Sequence, residues 1–203
     1  MEARAGADSV ARAIGGRVRQ GRNSRGWTLD QLAGRSGVSR RMLVSIEQGS
    51  ANPSIATLLL VSDALGIGLP ALVNMDRSPG LRVTRAGAAP VLWRGKLGGQ
   101  AVLVAGTEPP DVTELWDWTL GPGEGHSSPA HTAGTRELLL VLAGQVELRV
   151  GQHAEVLATG DSASFVGDLL HGYANAGPQV ARFALTVFEP GVGPGARSEA
   201  ADA

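Results

Sequence analysis

The 203-residue chain contains no cysteine. That absence excludes disulfides, thiol nucleophiles and any zinc or iron–sulfur site built on thiolates. Long apolar runs are missing too. The longest, Leu138–Ala143, is strand-sized, far short of the roughly 18–20 residues that span a bilayer. The opening MEARAGADSV lacks the basic-then-apolar order of a secretory signal. Together these absences predict a cytoplasmic protein with no membrane partner. Aromatic residues are scarce, and of the eight only Trp27 precedes residue 76. Net charge is close to balanced at −1 but unevenly placed. Residues 1–75 hold nine arginines against five acids, and residues 76–203 hold nine basic residues against fourteen acids. A basic, aromatic-poor segment ahead of an acidic, aromatic-bearing one predicts two domains with different partners. With 43% apolar residues the chain can bury a core.

The first segment reads as short helices. Asp8 or Ser9 can cap a helix in which Val10, Ile14 and Val18 recur every four residues, until Arg22–Gly26 breaks it. Thr28 caps Leu29–Arg35, with Gln31 at the capping-box position. Ser36-Gly37-Val38 makes a turn, Ser39 caps Arg40–Gln48, and Gly49 stops it. Beyond the loop Ser50–Pro53, Ser54 caps a helix with Leu58, Leu59, Val61 and Leu65 inside, ending at Gly66, and Leu69–Val73 adds a short turn. Two short helices joined through a glycine turn form a helix-turn-helix pattern. Ala33 is small where the helices cross, Gly37 permits positive φ, and Val38, Leu43 and Ile46 anchor the second helix against Leu29 and Leu32.

Residues 76–82, with Arg77-Ser78-Pro79-Gly80, read as a linker. Short apolar runs follow between Gly, Pro and Asp: Val91–Trp93, Ala101–Ala105, Val112–Leu120, Glu137–Leu142, Gln145–Val150, Ala163–Val166 and Ala181–Phe188. Alternation at Val146, Leu148, Val150 and at Leu115, Asp117, Thr119 marks strands, and many short strands predict a sandwich or jelly-roll barrel. The tail 191–203, rich in Gly, Ala and charge, is expected to be disordered.

Residues 10–73 resemble an XRE-type, lambda-repressor-like helix-turn-helix domain. Asn52-Pro53-Ser54-x-x-Thr57-Leu58 and Ala64-Leu65-Gly66 follow the same pattern. The resemblance implies an all-α five-helix domain over 8–75 that binds double-stranded operator DNA. The second helix of such a motif enters the major groove by its N-terminal part. Here that part is Ser39, Arg40 and Arg41, followed one turn on by Val44 and Ser45. An arginine bidentate to guanine discriminates by about 1–3 kcal/mol. Thr28 and Asn52 flank the helix and are expected on phosphates. The plainer alternative is that Arg40 and Arg41 only solvate an exposed face. Glu47 is expected to hold its neighbouring loop, and Trp27 to serve as core or staple.

All four histidines, His126, His131, His153 and His171, lie in the second segment. Gly125-x5-His131-x-Ala133-x3-Glu137-x6-Gly144 and Gly160-Asp161-x3-Phe165-x2-Asp168-x2-His171-x-Tyr173-x-Asn175 resemble the two signature stretches of the cupin superfamily. The resemblance implies an all-β cupin jelly-roll barrel over 83–190, with the pattern's His-x-His, Glu and His converging on one divalent metal ion. On a strand, alternate residues share a face, so His-x-His would point both rings inward. His131, Glu137 and His171 stand at ligand positions, whereas the second His position is Ala133, which cannot ligate. His126 could substitute only if its loop folds back. Tyr173 and Asn175 are expected to serve the strand and its turn, with Tyr173 a further candidate for the pocket. His153 is expected at the surface, and Asp161 to cap backbone amides.

Three readings of the cluster stand: a metal centre, a metal-free pocket for a polar effector, and an idle polar cluster. At the level of the whole chain the expectation is a DNA-binding transcriptional regulator, with a barrel that senses a small-molecule effector and supplies homodimer contacts. The alternatives are a metal-dependent cupin oxygenase or isomerase with an accessory DNA-binding domain, and an architectural or antitoxin-like protein with an inert barrel.

Overall fold

The computed structural model describes residues 2–73 and 81–192. The predicted linker falls outside the described residues as far as position 80, as does the tail from 193. The chain divides into two compact units, one dominated by residues up to Val83 and one covering Thr84–Thr107 and Asp111–Pro190.

The first unit holds five helices: α1 (Glu2–Ser24), α2 (Leu29–Ser36), α3 (Arg40–Glu47), α4 (Ile55–Leu65) and α5 (Gly68–Val73). The later boundaries follow from capping. Thr28 Oγ1 accepts from the Gln31 amide at 3.2 Å while Gln31 Oε1 accepts from the Thr28 amide at 2.8 Å, a complete capping box. Ser39 and Ser54 accept from Met42 and Thr57 amides. Gly37 closes α2 at φ 70°, a left-handed conformation that side-chain-bearing residues rarely adopt. α1 departs from expectation. It starts well before Asp8 and Ser9, placing both inside the helix, and it runs through Arg22 to Ser24. The cause is that Glu2–Ala5 are strong helix formers, so two weak interior residues do not stop propagation.

Ile14 and Val18 from α1 pack with Leu32, Leu43, Ile46, Leu58, Val61, Leu65, Leu69 and Leu72 as the buried core, whereas Leu59 is only half-buried. Glu47, at the end of α3, is buried, and its carboxylate takes both prongs of the Arg22 guanidinium at 2.7 and 2.9 Å. That fork ties α1 to α3 and fixes the angle of α3. Of the two roles expected of Trp27, core or staple, the core role does not hold: it is half-buried, with the Arg35 guanidinium 4.4 Å from its ring centroid and Arg25 at 5.7 Å.

The second unit is built from ten strands: β1 (Val91–Arg94), β2 (Gln100–Gly106), β3 (Val112–Leu120), β4 (Gly125–Ser128), β5 (Arg136–Ala143), β6 (Gln145–Val150), β7 (His153–Ala158), β8 (Ser162–Val166), β9 (His171–Ala174) and β10 (Ala181–Glu189). They form two antiparallel sheets in the orders β1-β2-β3-β10-β5-β8 and β4-β9-β6-β7. β4, β7 and β9 are additions to the sequence expectation. Period-two burial on β3 and β10 turns Trp116, Trp118, Leu120, Phe183 and Leu185 inward. The inner faces meet where Tyr173 of β9 packs on Trp118 and Phe183, with ring centroids 5.6 and 5.1 Å away. β5 is apolar on both faces: Leu139 and Val141 are buried, while Leu138, Leu140 and Leu142 remain exposed.

Candidate DNA-binding face and buried donor cluster

α3 presents its first turn to solvent. Ser39, Arg40 and Arg41 are exposed there together. Arg40 Nε lies 3.2 Å from Asp30 Oδ1, but the two side chains are 61% and 77% exposed. An ion pair that open to water contributes about 0–1 kcal/mol, so Arg40 is readily released to a better acceptor. Val44 and Ser45, one turn on, are half-buried and have less reach. Thr28 stands exposed at the N-terminus of α2, and Asn52 stands exposed in the loop before α4. Backbone N–H groups at the starts of α2 and α3 lack intrahelical partners, which suits them to phosphate oxygens.

In the β unit, three of the singled-out side chains converge. Glu137 of β5 is wholly buried, His131 lies in the loop between β4 and β5, and His171 begins β9. Glu137 Oε1 sits 3.3 Å from His131 Nε2 and 3.1 Å from His171 Nε2. One ligand atom from each of the three falls within 4.8 Å of the others. The chain holds this geometry through backbone contacts. The His131 amide donates to the Gly167 carbonyl at 2.9 Å, fixing the loop. His171 Nδ1 lies 2.7 Å from the Leu169 carbonyl and can only donate to it, so in the neutral ring the lone pair resides on Nε2. Gly167 passes so close that a Cβ there would come within 2.8 Å of Glu137 Oε1. Tyr173 donates to the other carboxylate oxygen, Oε2, at 2.7 Å. Leu169 and Gly167 carried no sequence signal; they act through backbone atoms and the lack of a side chain.

The electrostatics follow from this packing. Burial opposes the charge on Glu137, but the adjacent His131 and His171 rings and the hydrogen bond from Tyr173 outweigh it and bring the carboxyl to about 2. Burial pushes His171 down, while the Glu137 carboxylate and the Leu169 carbonyl push it up and prevail. Burial, together with the Glu137 charge, lifts Tyr173 well above the usual phenol value.

Glu137 Oε1 and His171 Nε2 are both buried and neither makes a hydrogen bond. Two such acceptors at 3.1 Å repel unless a proton or a cation lies between them. A divalent cation would satisfy both, and two imidazoles with one carboxylate form a donor set that Fe, Mn, Zn or Ni accepts. The residues therefore fit a metal ion.

One expectation changes in detail. The alternation argument for His-x-His does not apply, because His131 and Ala133 lie in a loop rather than on a strand, and Ala133 is exposed in a turn. His126 stays outside the cluster. It sits on β4 with its ring centroid 5.2 Å from Trp93 and 4.9 Å from Trp118, and burial plus the His171 charge lower it to about 4. Asn175 serves the turn alone, donating to the Leu120 and Gln179 carbonyls and accepting from the Gly177 amide. His153 is exposed, and the Asp161 carboxylate accepts from the Ala158 amide at 2.9 Å.

Among the described residues, no helix is long and apolar enough to cross a membrane. The helix-turn-helix family profile matches residues 18–72 and the cupin domain profile matches residues 116–188. The chain is 27% identical over 186 residues to the HTH-type transcriptional regulator SutR of Escherichia coli (strain K12), covering 90% of this chain and 98% of that protein. It is 34% identical over 67 residues to the HTH-type transcriptional regulator y4dJ of Sinorhizobium fredii, covering 32% of this chain and 87% of the relative. An HTH_3 family transcriptional regulator from Vibrio cholerae superposes with a TM-score of 0.68 at 26% identity, over 91% of this chain and 99% of that one.

Proposed function

Because this chain belongs to the helix-turn-helix transcriptional regulators and carries a cupin domain behind its DNA-binding unit, we propose that it is a cytoplasmic, homodimeric one-component sensor. Arg40 and Arg41 read base edges of a palindromic operator, with Ser39 beside them. Val44 and Ser45 line the groove one turn further in, and Thr28 and Asn52 hold phosphates. His131, Glu137, His171 and Tyr173 hold the effector, directly or through one divalent metal ion. A bound metal would supply a Lewis-acidic anchor for an oxygen-bearing effector. The carrying observation is the buried convergence of Glu137 Oε1 with His131 Nε2 at 3.3 Å and with His171 Nε2 at 3.1 Å.

Exposed Leu138, Leu140 and Phe188, on neighbouring strands of one sheet, support the dimer. An effector regulates only if it binds the DNA-competent and incompetent states differently, and a coupling of about 1–3 kcal/mol changes operator affinity roughly 5–150-fold. A cupin oxygenase or isomerase would draw on the same donor set. Its mark would be turnover, whereas a sensor's mark is a change in DNA affinity.

The test is selection from a random duplex pool by the purified full chain. A sensor enriches a palindrome whose half-sites lie about 34–36 Å or a multiple apart. A pool that stays random after repeated rounds removes the reading.

A further inference from the structure

The donor cluster offers three protein ligands, and the usual fourth position, Ala133, faces solvent in a turn. Another oxygen-bearing side chain lies beside the cluster. Ser128, the last residue of β4, is buried at 9% exposure and is the direct cross-strand partner of His171 on β9. Partners at the same register share a face of the sheet, so Ser128 and His171 project toward the same interior. Ser128 Oγ lies 3.4 Å from His131 Nε2, the ligand atom of that ring. Its hydroxyl hydrogen has an acceptor in the Pro129 carbonyl at 3.3 Å, which leaves an oxygen lone pair for another partner.

The distances agree with a shared coordination shell. Donors about 2.1 Å from one metal lie roughly 3.0 Å apart at octahedral angles and roughly 3.4 Å apart at tetrahedral angles. The contacts of His131 Nε2 with Ser128 Oγ at 3.4 Å and with Glu137 Oε1 at 3.3 Å, and of His171 Nε2 with Glu137 Oε1 at 3.1 Å, fall within or close to that range.

We propose that the Ser128 hydroxyl is the fourth protein donor to a divalent cation held by His131, Glu137 and His171. This inference rests on the metal-bound form of the function proposed above. A neutral hydroxyl binds more weakly than an imidazole and adds an oxygen, giving a shell of two nitrogens and two oxygens. That shell suits borderline and harder cations such as Mn, Fe, Co or Zn, and it keeps positions open for an effector. Regulation by loss of the metal would be easier than from a shell of three histidines and a glutamate.

The experiment titrates cobalt(II) into the full chain, its Ser128→Ala variant and its Ser128→Cys variant, reading the visible absorption. The parent gives a saturable cobalt spectrum. Ser128→Ala weakens cobalt binding roughly tenfold and shifts the band shape as water replaces a protein ligand. Ser128→Cys gains an intense near-ultraviolet thiolate-to-cobalt band. Because the chain has no native cysteine, that band can arise only from position 128. Circular dichroism melts confirm that both variants fold. If the parent takes up no cobalt, the metal reading fails and the inference with it. If the parent binds but Ser128→Ala matches it and Ser128→Cys shows no thiolate band, the inference alone is overturned.

Discussion

Tyr173 donates its phenolic hydrogen to Glu137 Oε2 at 2.7 Å, joining β9 of one sheet to β5 of the other across the barrel interior. The bond occupies one carboxylate oxygen and leaves the other, Oε1, facing both histidines. Removing it should cost stability, because a buried charged acceptor loses its donor. Tyr173→Phe should lower the unfolding free energy by about 1–3 kcal/mol, read from urea midpoints at constant m-value. An unchanged midpoint would mean that the hydroxyl does not hold the carboxylate.

The Arg22–Glu47 fork anchors α3 in the same manner. Glu47→Ala leaves the Arg22 charge without its carboxylate in a largely buried position, where breaking such a pair costs about 3 kcal/mol. The apolar double variant Arg22→Met/Glu47→Leu should recover much of that loss. If the single variant melts like the parent, the fork is not structural.

How much of the fold is legible in the sequence depends on how local each signal is. Thr28, Gln31, Gly37, Ser39, Ser54 and Gly66 fixed α2, α3 and α4 to within a residue, because capping is decided within one turn of chain. The start of α1 carries no such signal, because nothing before Asp8 stops a helix. β4, β7 and β9 escaped because Gly-His-Ser-Ser, His-Ala-Glu-Val-Leu-Ala and His-Gly-Tyr-Ala lack β-branched alternation. Their pairing is imposed by neighbouring strands instead. Within the cluster, spacing pointed to His131, Glu137 and His171. The Leu169 carbonyl and Ser128 depend on β9 lying beside β4, which no local pattern encodes.

His126 sets a pH dependence of stability. In the folded chain its pKa is lowered from 6.5 to about 4, by burial first and by the His171 charge second. Between those values the unfolded chain holds the proton and the folded chain does not, so stability rises with pH through this window and is complete above it. The partly open edge of the ring limits the gain to about 1–2 kcal/mol. Denaturation at pH 7 and pH 5 should show a smaller loss in His126→Phe than in the parent. Equal losses would assign the dependence elsewhere.

The outer face of β5 should form the dimer contact. Leu140→Arg places a charge between Leu138 and Leu142, costing association roughly 2 kcal/mol or more. Sedimentation velocity should show the variant as a folded monomer at concentrations where the parent is a dimer. A variant that still dimerises would exclude this face.

Arg40 and Arg41 decide whether α3 reads a specific duplex. The direct measurement is fluorescence anisotropy of the selected duplex against the parent and the Arg40→Ala/Arg41→Ala double variant, at one fixed salt concentration. Both side chains are exposed, so the variant should melt with the parent. Loss of one or two base contacts of about 1–3 kcal/mol each should weaken operator binding at least about fivefold, and more than binding to scrambled duplex. Equal affinity of parent and variant for the operator would contradict the assignment of α3 as the reading element.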